Sequence, residues 1–126
     1  MELNIIKEAR DKFGSPLYIF DLDKLKERVM MIKERVKSAQ CCYAMKANPF
    51  LIKPMNEYVD KYEVCSPGEY EICHRMGIDP KKIVVSGVNK THESMDRIMK
   101  LSGGKGIFTI ESEAVSYTHL TLPTIL

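Results

Sequence analysis

One lysine in this sequence lies at the end of a predicted strand, where its amine could react as a nucleophile. Lys46 closes the apolar run 42–46, in which Cys42, Ala44 and Lys46 alternate onto one face of a predicted β-strand. Burial at the end of such a strand would favour the neutral amine, because desolvation disfavours the charged ammonium. A neutral amine is a nucleophile, and lysine forms a reversible Schiff base with an aldehyde. The structural alternative is a lysine that buries its methylenes while its amine extends into water.

Other polar groups stand along or at the ends of the predicted strands. Glu63 is either a carboxylate with a functional role or an exposed acid at the start of its strand. Ser66 opens an S-x-x-E sequence with proline next to it, so we expect it to cap a helix rather than contact a ligand. The segment 87–89 and Glu111 also follow predicted strands. These groups are the candidates for a site at the strand ends.

The asparagines and histidines are weaker candidates. Asn48 and Asn89 are expected in turns. His74, His92 and His119 are expected to be solvated surface residues, because none of them stands at the end of a predicted strand.

The elements that must position these groups alternate along the chain. Short β-type runs recur at a spacing of slightly more than twenty residues, at 17–20, 42–46, 63–66, 83–87 and 107–110. Segments with helical periodicity separate most of these runs. We expect helices that begin at Asp21 or Asp23, near Lys53, at Ser66 and before Met95, with stops at Gly77 and Gly103.

This alternation predicts a parallel sheet with right-handed crossovers and outer helices. A doubly wound sheet and a (β/α)-barrel both fit the spacing. In either architecture ligands bind beyond the carboxyl ends of the strands, where Lys46 stands.

The composition indicates one soluble globular domain. The chain has 126 residues, of which 44% are hydrophobic and 29% charged, with a formal net charge of +2. That balance argues against a nucleic-acid-binding arm, and no apolar stretch approaches the length that would cross a membrane. The charged opening segment 1–20 does not resemble a signal peptide, so we expect a cytoplasmic protein. The cysteines form no CxxC pair, and reduced, buried thiols without a metal site are expected.

The final residues differ in composition from the rest. Residues 115–126 contain no Lys, Arg, Asp or Glu, and they resemble translated sequencing-adapter bases. We therefore expect the native domain to occupy residues 1–114, with 115–126 a non-native tail. The alternative is an apolar strand at the edge of a sheet.

Four motifs occur in an order that resembles a known family. They are PLYIFD at 16–21, YAMKAN at 43–48, YEVCS at 62–66 and SGVNKT at 86–91. Together they resemble the pyridoxal-phosphate-dependent amino-acid decarboxylases that share the alanine-racemase-type barrel, and within that family the diaminopimelate decarboxylases. The resemblance covers residues 13–113.

The resemblance implies a fold, a cofactor and site residues. The fold is the first half of a pyridoxal-phosphate-binding (β/α)8 TIM-type barrel, truncated and without the family's β-rich carboxyl-terminal domain. Lys46 is the catalytic residue and forms the Schiff base with pyridoxal 5'-phosphate, and Ala44, Glu63 and Ser66 are further cofactor-binding residues. The family usually has Asp in place of Glu63, so the extra methylene alters the local geometry.

The resemblance also implies an activity and partners. The parent protein would be a homodimer that removes the α-carboxylate of an amino acid, with the conversion of diaminopimelate to lysine favoured. The ring-stacking histidine, the phosphate-binding loop and the partner-subunit residues of the family would lie beyond Glu113, so we expect this chain to be inactive alone. No nucleic-acid or membrane partner is expected.

Other functions remain open from the sequence. Within the fold they are decarboxylation of ornithine, arginine or carboxynorspermidine, or racemisation. Outside enzymes, the chain could belong to a non-catalytic relative that binds pyridoxal phosphate, or be an unrelated α/β domain with a chance YAMKAN.

Overall fold

The computed structural model describes residues 2–87 and 90–113. Its helices and strands alternate from the second helix onward. They are α1 Leu3–Phe13, α2 Leu22–Arg35, β1 Cys42–Ala44, α3 Ile52–Met55, β2 Lys61–Val64, α4 Pro67–Arg75, β3 Ile83–Val85, α5 His92–Ser102 and β4 Ile107–Phe108. Short 3-10 turns occupy Met45–Ala47, Pro49–Leu51 and Pro80–Lys82.

The strands form one parallel sheet in the order β1-β2-β3-β4. Each strand therefore pairs with the next strand in the chain, and no reversal of order occurs among the described strands. A doubly wound sheet requires such a reversal, whereas sequential parallel pairing is the arrangement of a (β/α)-barrel. The strand order thus decides between the two predicted architectures and confirms the barrel-type fold.

The core lies on one face of this sheet. Tyr62 and Val64 of β2 and Ile83 and Val85 of β3 are buried, whereas the residues between them are partly exposed. These buried strand residues share one hydrophobic cluster with helix residues, namely Val29, Ile52, Met55, Tyr70, Cys73, Met95 and Ile98. The helices therefore cover one face, and the described residues leave the opposite face open.

The strands are shorter than the sequence predicted. The run 42–46 is strand only to Ala44, and the run 107–110 only to Phe108. Ladder-type bonds nevertheless continue past two strand ends, because the Ser86 amide donates to the Val64 carbonyl at 2.8 Å and the Thr109 amide donates to the Val85 carbonyl at 3.0 Å.

The predicted strand at 17–20 is wrong. These residues pair with no described strand, and Tyr18 is 91% exposed. An alternating apolar pattern forms a strand only where a neighbouring strand can take up its backbone hydrogen bonds. Helix α1, which has no buried residue, was not predicted either.

The predicted helix ends are largely confirmed. The Asp21 carboxylate accepts a hydrogen bond from the Lys24 amide at 3.1 Å and caps α2. Gly103 ends α5 in the left-handed conformation, with φ of 58°. The second predicted helix begins at Ile52, one residue before the expected position. Among the helices described, none has the length and apolar character needed to span a membrane.

Candidate functional site

Lys46 lies at the carboxyl edge of the sheet, directly after β1. It is the middle residue of the turn Met45–Ala47, which the Asn48 amide closes by donating to the Met45 carbonyl at 3.2 Å. Met45 is only 1% exposed and anchors this turn in the core. The sequence therefore predicted the correct edge of the sheet for Lys46, although the residue belongs to a turn and not to the strand.

The expected desolvation of Lys46 is wrong for this structure. Its side chain is exposed. The reason is the open sheet face, because a strand-end lysine loses water only where further elements close over it. The exposed position leaves the amine accessible to a carbonyl compound.

Glu63 of β2 and Ala44 of β1 are paired across neighbouring strands. Both are partly buried, and Glu63 is the third residue of its strand, so the alternative of an exposed acid at a strand start is wrong. The Ser86 hydroxyl donates to Glu63 Oε1 at 2.7 Å, and Cys65 Sγ lies 3.4 Å from Ser86 Oγ. The structure thus gathers a carboxylate on β2, a thiol directly after β2 and a hydroxyl directly after β3.

Ser66 caps helix α4, as the S-x-x-E sequence predicted. Its Oγ accepts a hydrogen bond from the Glu69 amide at 3.2 Å. The Glu69 carboxylate in turn accepts from the Cys65 amide at 2.7 Å. The Ser66 hydroxyl is therefore engaged in the helix N-terminus, and its role in cofactor binding stays a prediction.

An ion pair between a buried lysine and a partly exposed glutamate at the same edge was not predicted. The side chain of Lys90 is 3% exposed, and its Nζ lies 2.7 Å from Glu111 Oε2. Lys90 also donates to Thr109 Oγ1 at 3.1 Å, and the Gly87 amide donates to Glu111 Oε1 at 3.2 Å. The pair therefore joins the segments that follow β3 and β4.

The only sequence signal for this pair was a lysine and a glutamate after consecutive strands. Burial alone would raise the pKa of the Glu111 carboxyl, but the hydrogen bonds from Lys90 and Thr109 outweigh burial, and the net pKa lies below its ordinary value. Glu111 is therefore ionised at neutral pH, which matches its lysine partner.

The four thiols are free, and two of them are poorly reactive. Cys41, Cys42, Cys65 and Cys73 form no disulfide. The expectation that they are buried holds only for Cys73, because Cys42 is exposed and the other two are partly exposed. Burial raises the pKa of the Cys73 thiol to about 11, and burial with the nearby Glu63 carboxylate raises that of Cys42. Since the thiolate is the reactive form, Cys42 and Cys73 are not candidate nucleophiles.

The fold and the polar carboxyl edge place this chain among domains of the β/α-barrel class. Residues 22–117 match the family model described as pyridoxal-dependent decarboxylase, pyridoxal binding domain. The chain therefore belongs to the pyridoxal-phosphate-dependent decarboxylases, and the predicted family and cofactor are confirmed.

Several relatives are diaminopimelate decarboxylases. The enzyme of Aquifex aeolicus is 36% identical over 92 residues, which are 71% of this chain and 22% of that protein. The enzyme of Vibrio cholerae is 30% identical over 112 residues, which are 86% of this chain and 26% of that protein. The chain thus spans about a quarter of the length of these relatives.

Solved structures agree with the fold. A crystal structure from Aquifex aeolicus has a TM-score of 0.76 and 32% identity, covering 90% of this chain and 28% of that chain. The diaminopimelate decarboxylase of Helicobacter pylori, complexed with L-lysine, has a TM-score of 0.73 and 28% identity, covering 90% of this chain and 29% of that chain.

The described residues fit one part of a pyridoxal phosphate site. The exposed Lys46 amine is accessible to an aldehyde, and Glu63 offers a carboxylate on the neighbouring strand. Ala44 pairs with Glu63 across the strands and precedes Lys46 by two residues. Its small side chain leaves space beside both of them. The donor set therefore suits covalent attachment of the cofactor.

Proposed function

We propose that this chain is the amino-terminal part of the cofactor-binding barrel of a longer decarboxylase, and that Lys46 attaches the cofactor. The observation that carries this proposal is the position of Lys46, directly after β1 at the carboxyl edge of a sequentially ordered parallel sheet. The family match over residues 22–117 supports it, as does the coverage of only about a quarter of the relatives.

Each residue at this edge has a distinct role in the proposal. Pyridoxal phosphate, when bound, supplies the electron sink that makes loss of an α-carboxylate possible. Lys46 binds it covalently through Nζ, and Glu63 places a negative charge on the neighbouring strand. Ala44 leaves space beside Lys46. Ser66 acts through the α4 N-terminus, where backbone N–H groups and the helix dipole favour an anion.

For the substrate, we propose meso-diaminopimelate, with lysine as the product of decarboxylation. The names of the relatives in Aquifex, Campylobacter, Helicobacter and Vibrio support this choice. The lysine/ornithine decarboxylase of Selenomonas ruminantium, 28% identical over 81 residues, is the relative that favours a second candidate, decarboxylation of a basic amino acid. In both cases the protein would be cytoplasmic and would work as a homodimer.

Reductive trapping tests the role of Lys46. The chain is incubated with pyridoxal phosphate, reduced with borohydride, digested and mapped by mass spectrometry. We expect the label on Lys46 at a higher occupancy than on any other lysine. Lys105, which is also exposed, gives the background labelling of a surface amine.

The variant K46R keeps the positive charge and removes the reactive primary amine. No label should remain at position 46, and the total label should fall to the background that exposed lysines such as Lys105 give. Preferential labelling of any other lysine in the unaltered chain would show that the assignment of Lys46 is wrong.

A further inference from the structure

The Glu63 side chain is directed along the sheet by its hydrogen bond to Ser86. In the register of the strands, Glu63 pairs with Ala44 on one side and with Val84 on the other. Ser86 lies two residues beyond Val84, which is about 6 to 7 Å nearer the carboxyl edge. Because Ser86 Oγ donates to Glu63 Oε1 at 2.7 Å, the carboxylate lies closer to that edge than the Glu63 backbone does.

Lys46 leaves the sheet at the same edge. Ala44 and Val84 both pair with Glu63, so the three residues lie at the same level of the sheet. Lys46 comes two residues after Ala44, and Ser86 comes two residues after Val84. The carboxylate is thus brought toward the level of the sheet at which Lys46 stands. An aspartate is shorter by one carbon–carbon bond, about 1.5 Å, and could not reach Ser86 without a shift of the strand.

Ser86 is held in place by the backbone on both sides. Its own amide donates to the Val64 carbonyl at 2.8 Å, and the next amide, that of Gly87, donates to Glu111 at 3.2 Å. A Cβ atom on Gly87 would lie 3.1 Å from the Cys65 carbonyl oxygen, so the two segments are closely apposed. The position of the serine is therefore fixed by the backbone, and the Glu63 side chain extends to reach its hydroxyl.

We propose that Ser86 is a positioning residue that holds the Glu63 carboxylate at the carboxyl edge beside Lys46. This inference rests on the proposed role of Lys46. In that place the carboxylate can accept a hydrogen bond from the Lys46 amine and orient it toward a carbonyl compound.

A double-mutant cycle tests the inference. The rate of borohydride-trapped pyridoxal phosphate labelling is measured at Lys46, relative to Lys105, in S86A, E63D and E63D/S86A. We expect S86A to lower this ratio about fivefold, as for the loss of one hydrogen bond to a charged group. In the E63D background, S86A should change the ratio by less than about twofold, because the shorter carboxylate does not reach the serine.

Two controls separate positioning from folding. S86T keeps the hydroxyl and should retain the labelling ratio of the unaltered chain. The carboxyl signal of Glu63 in carbon-13 NMR, read without cofactor, should shift in S86A and return in S86T. An equal loss of labelling from S86A in both backgrounds would overturn the inference, because Ser86 would then act independently of Glu63.

The failure of the proposed function is distinguishable from the failure of this inference. If the unaltered chain shows no preference for Lys46, the proposed role of Lys46 is wrong, and the NMR signal alone decides whether Ser86 holds Glu63. A Glu63 carboxyl signal that is identical in S86A and in the unaltered chain would rule out the positioning role in either case.

Discussion

Lys90 is the charged residue that is buried in the described part of the chain, and it was not predicted as a site residue. A lysine that is 3% exposed has lost nearly all its water, and it is stable only because its amine donates to Glu111, Thr109 and the Thr109 carbonyl. Desolvated ammonium groups without such partners cost several kcal/mol. The ion pair between Lys90 and Glu111 therefore holds together the two segments that follow β3 and β4 at this edge of the sheet.

Replacement of Lys90 by methionine should therefore destabilise the chain. The side chain keeps its volume, but Glu111 loses its ionic partner, and we expect a loss of about 2 to 3 kcal/mol in the free energy of unfolding at neutral pH. Urea denaturation followed by circular dichroism measures this loss. The control K105M removes an exposed lysine and should change stability by less than about 0.5 kcal/mol.

The difference between the unaltered chain and K90M should depend on pH. The pKa of Glu111 in the folded chain lies below its ordinary value of 4.5, so the unfolded chain binds more protons as the pH falls through this range. The stability from the pair is therefore complete above pH 4.5 and is lost as the pH falls through the lower, folded pKa. A difference that stayed constant from neutral pH down to strongly acidic pH would contradict the assignment.

Among the elements, the junction between β3 and β4 depends on one glycine. Gly106 has φ of 114°, and a Cβ atom there would lie 3.0 Å from both the Ile83 and Pro80 carbonyl oxygens. Backbone oxygens cannot move aside as a flexible side chain can. The close approach lets the chain enter β4 directly against β3.

Gly106→Ala should consequently cost more than Gly104→Ala. Both glycines have positive φ, but at Gly104 the nearest atom to an added Cβ is the flexible Met99 Cε at 3.9 Å. We expect a loss of about 1 kcal/mol for G104A and about 3 kcal/mol for G106A, from strain plus the backbone contact. Urea denaturation of the two variants side by side gives the comparison, and equal losses would show that the contact with β3 is unimportant.

The sequence predicted the elements that local chemistry specifies, and it failed where tertiary partners decide. Asp21, Ser66 and Gly103 identified helix ends, because a cap or a left-handed residue acts within a few positions of the chain. The apolar run 17–20 was misassigned, since a strand needs a partner that its own sequence does not reveal. Equally, the position of Lys46 could be predicted from strand order, but its exposure depends on which other elements cover the sheet.

At the scale of the whole molecule, the open face of the sheet is the feature that limits function. Leu22 and Ile32 of α2, and Val36 directly after it, are 43% to 50% exposed, so the described residues also leave apolar surface near this helix uncovered. A site that removes a carboxylate needs to exclude water and to hold the substrate in a fixed orientation. The four parallel strands in the described residues place Lys46 at the correct edge, and these residues do not enclose it.

We therefore expect this chain to accept pyridoxal phosphate at Lys46 without decarboxylating any amino acid. The test measures carbon dioxide released from carboxyl-labelled meso-diaminopimelate, L-lysine, L-ornithine and L-arginine, with the diaminopimelate decarboxylase of Aquifex aeolicus as the positive control. The complete protein that contains this chain should release carbon dioxide from diaminopimelate faster than from the other three. Turnover by the 126-residue chain that disappears in K46R would contradict the expectation, since an open four-stranded arc would then suffice for catalysis. Preference of the complete protein for ornithine or lysine would instead favour the second candidate substrate class and leave the role of Lys46 intact.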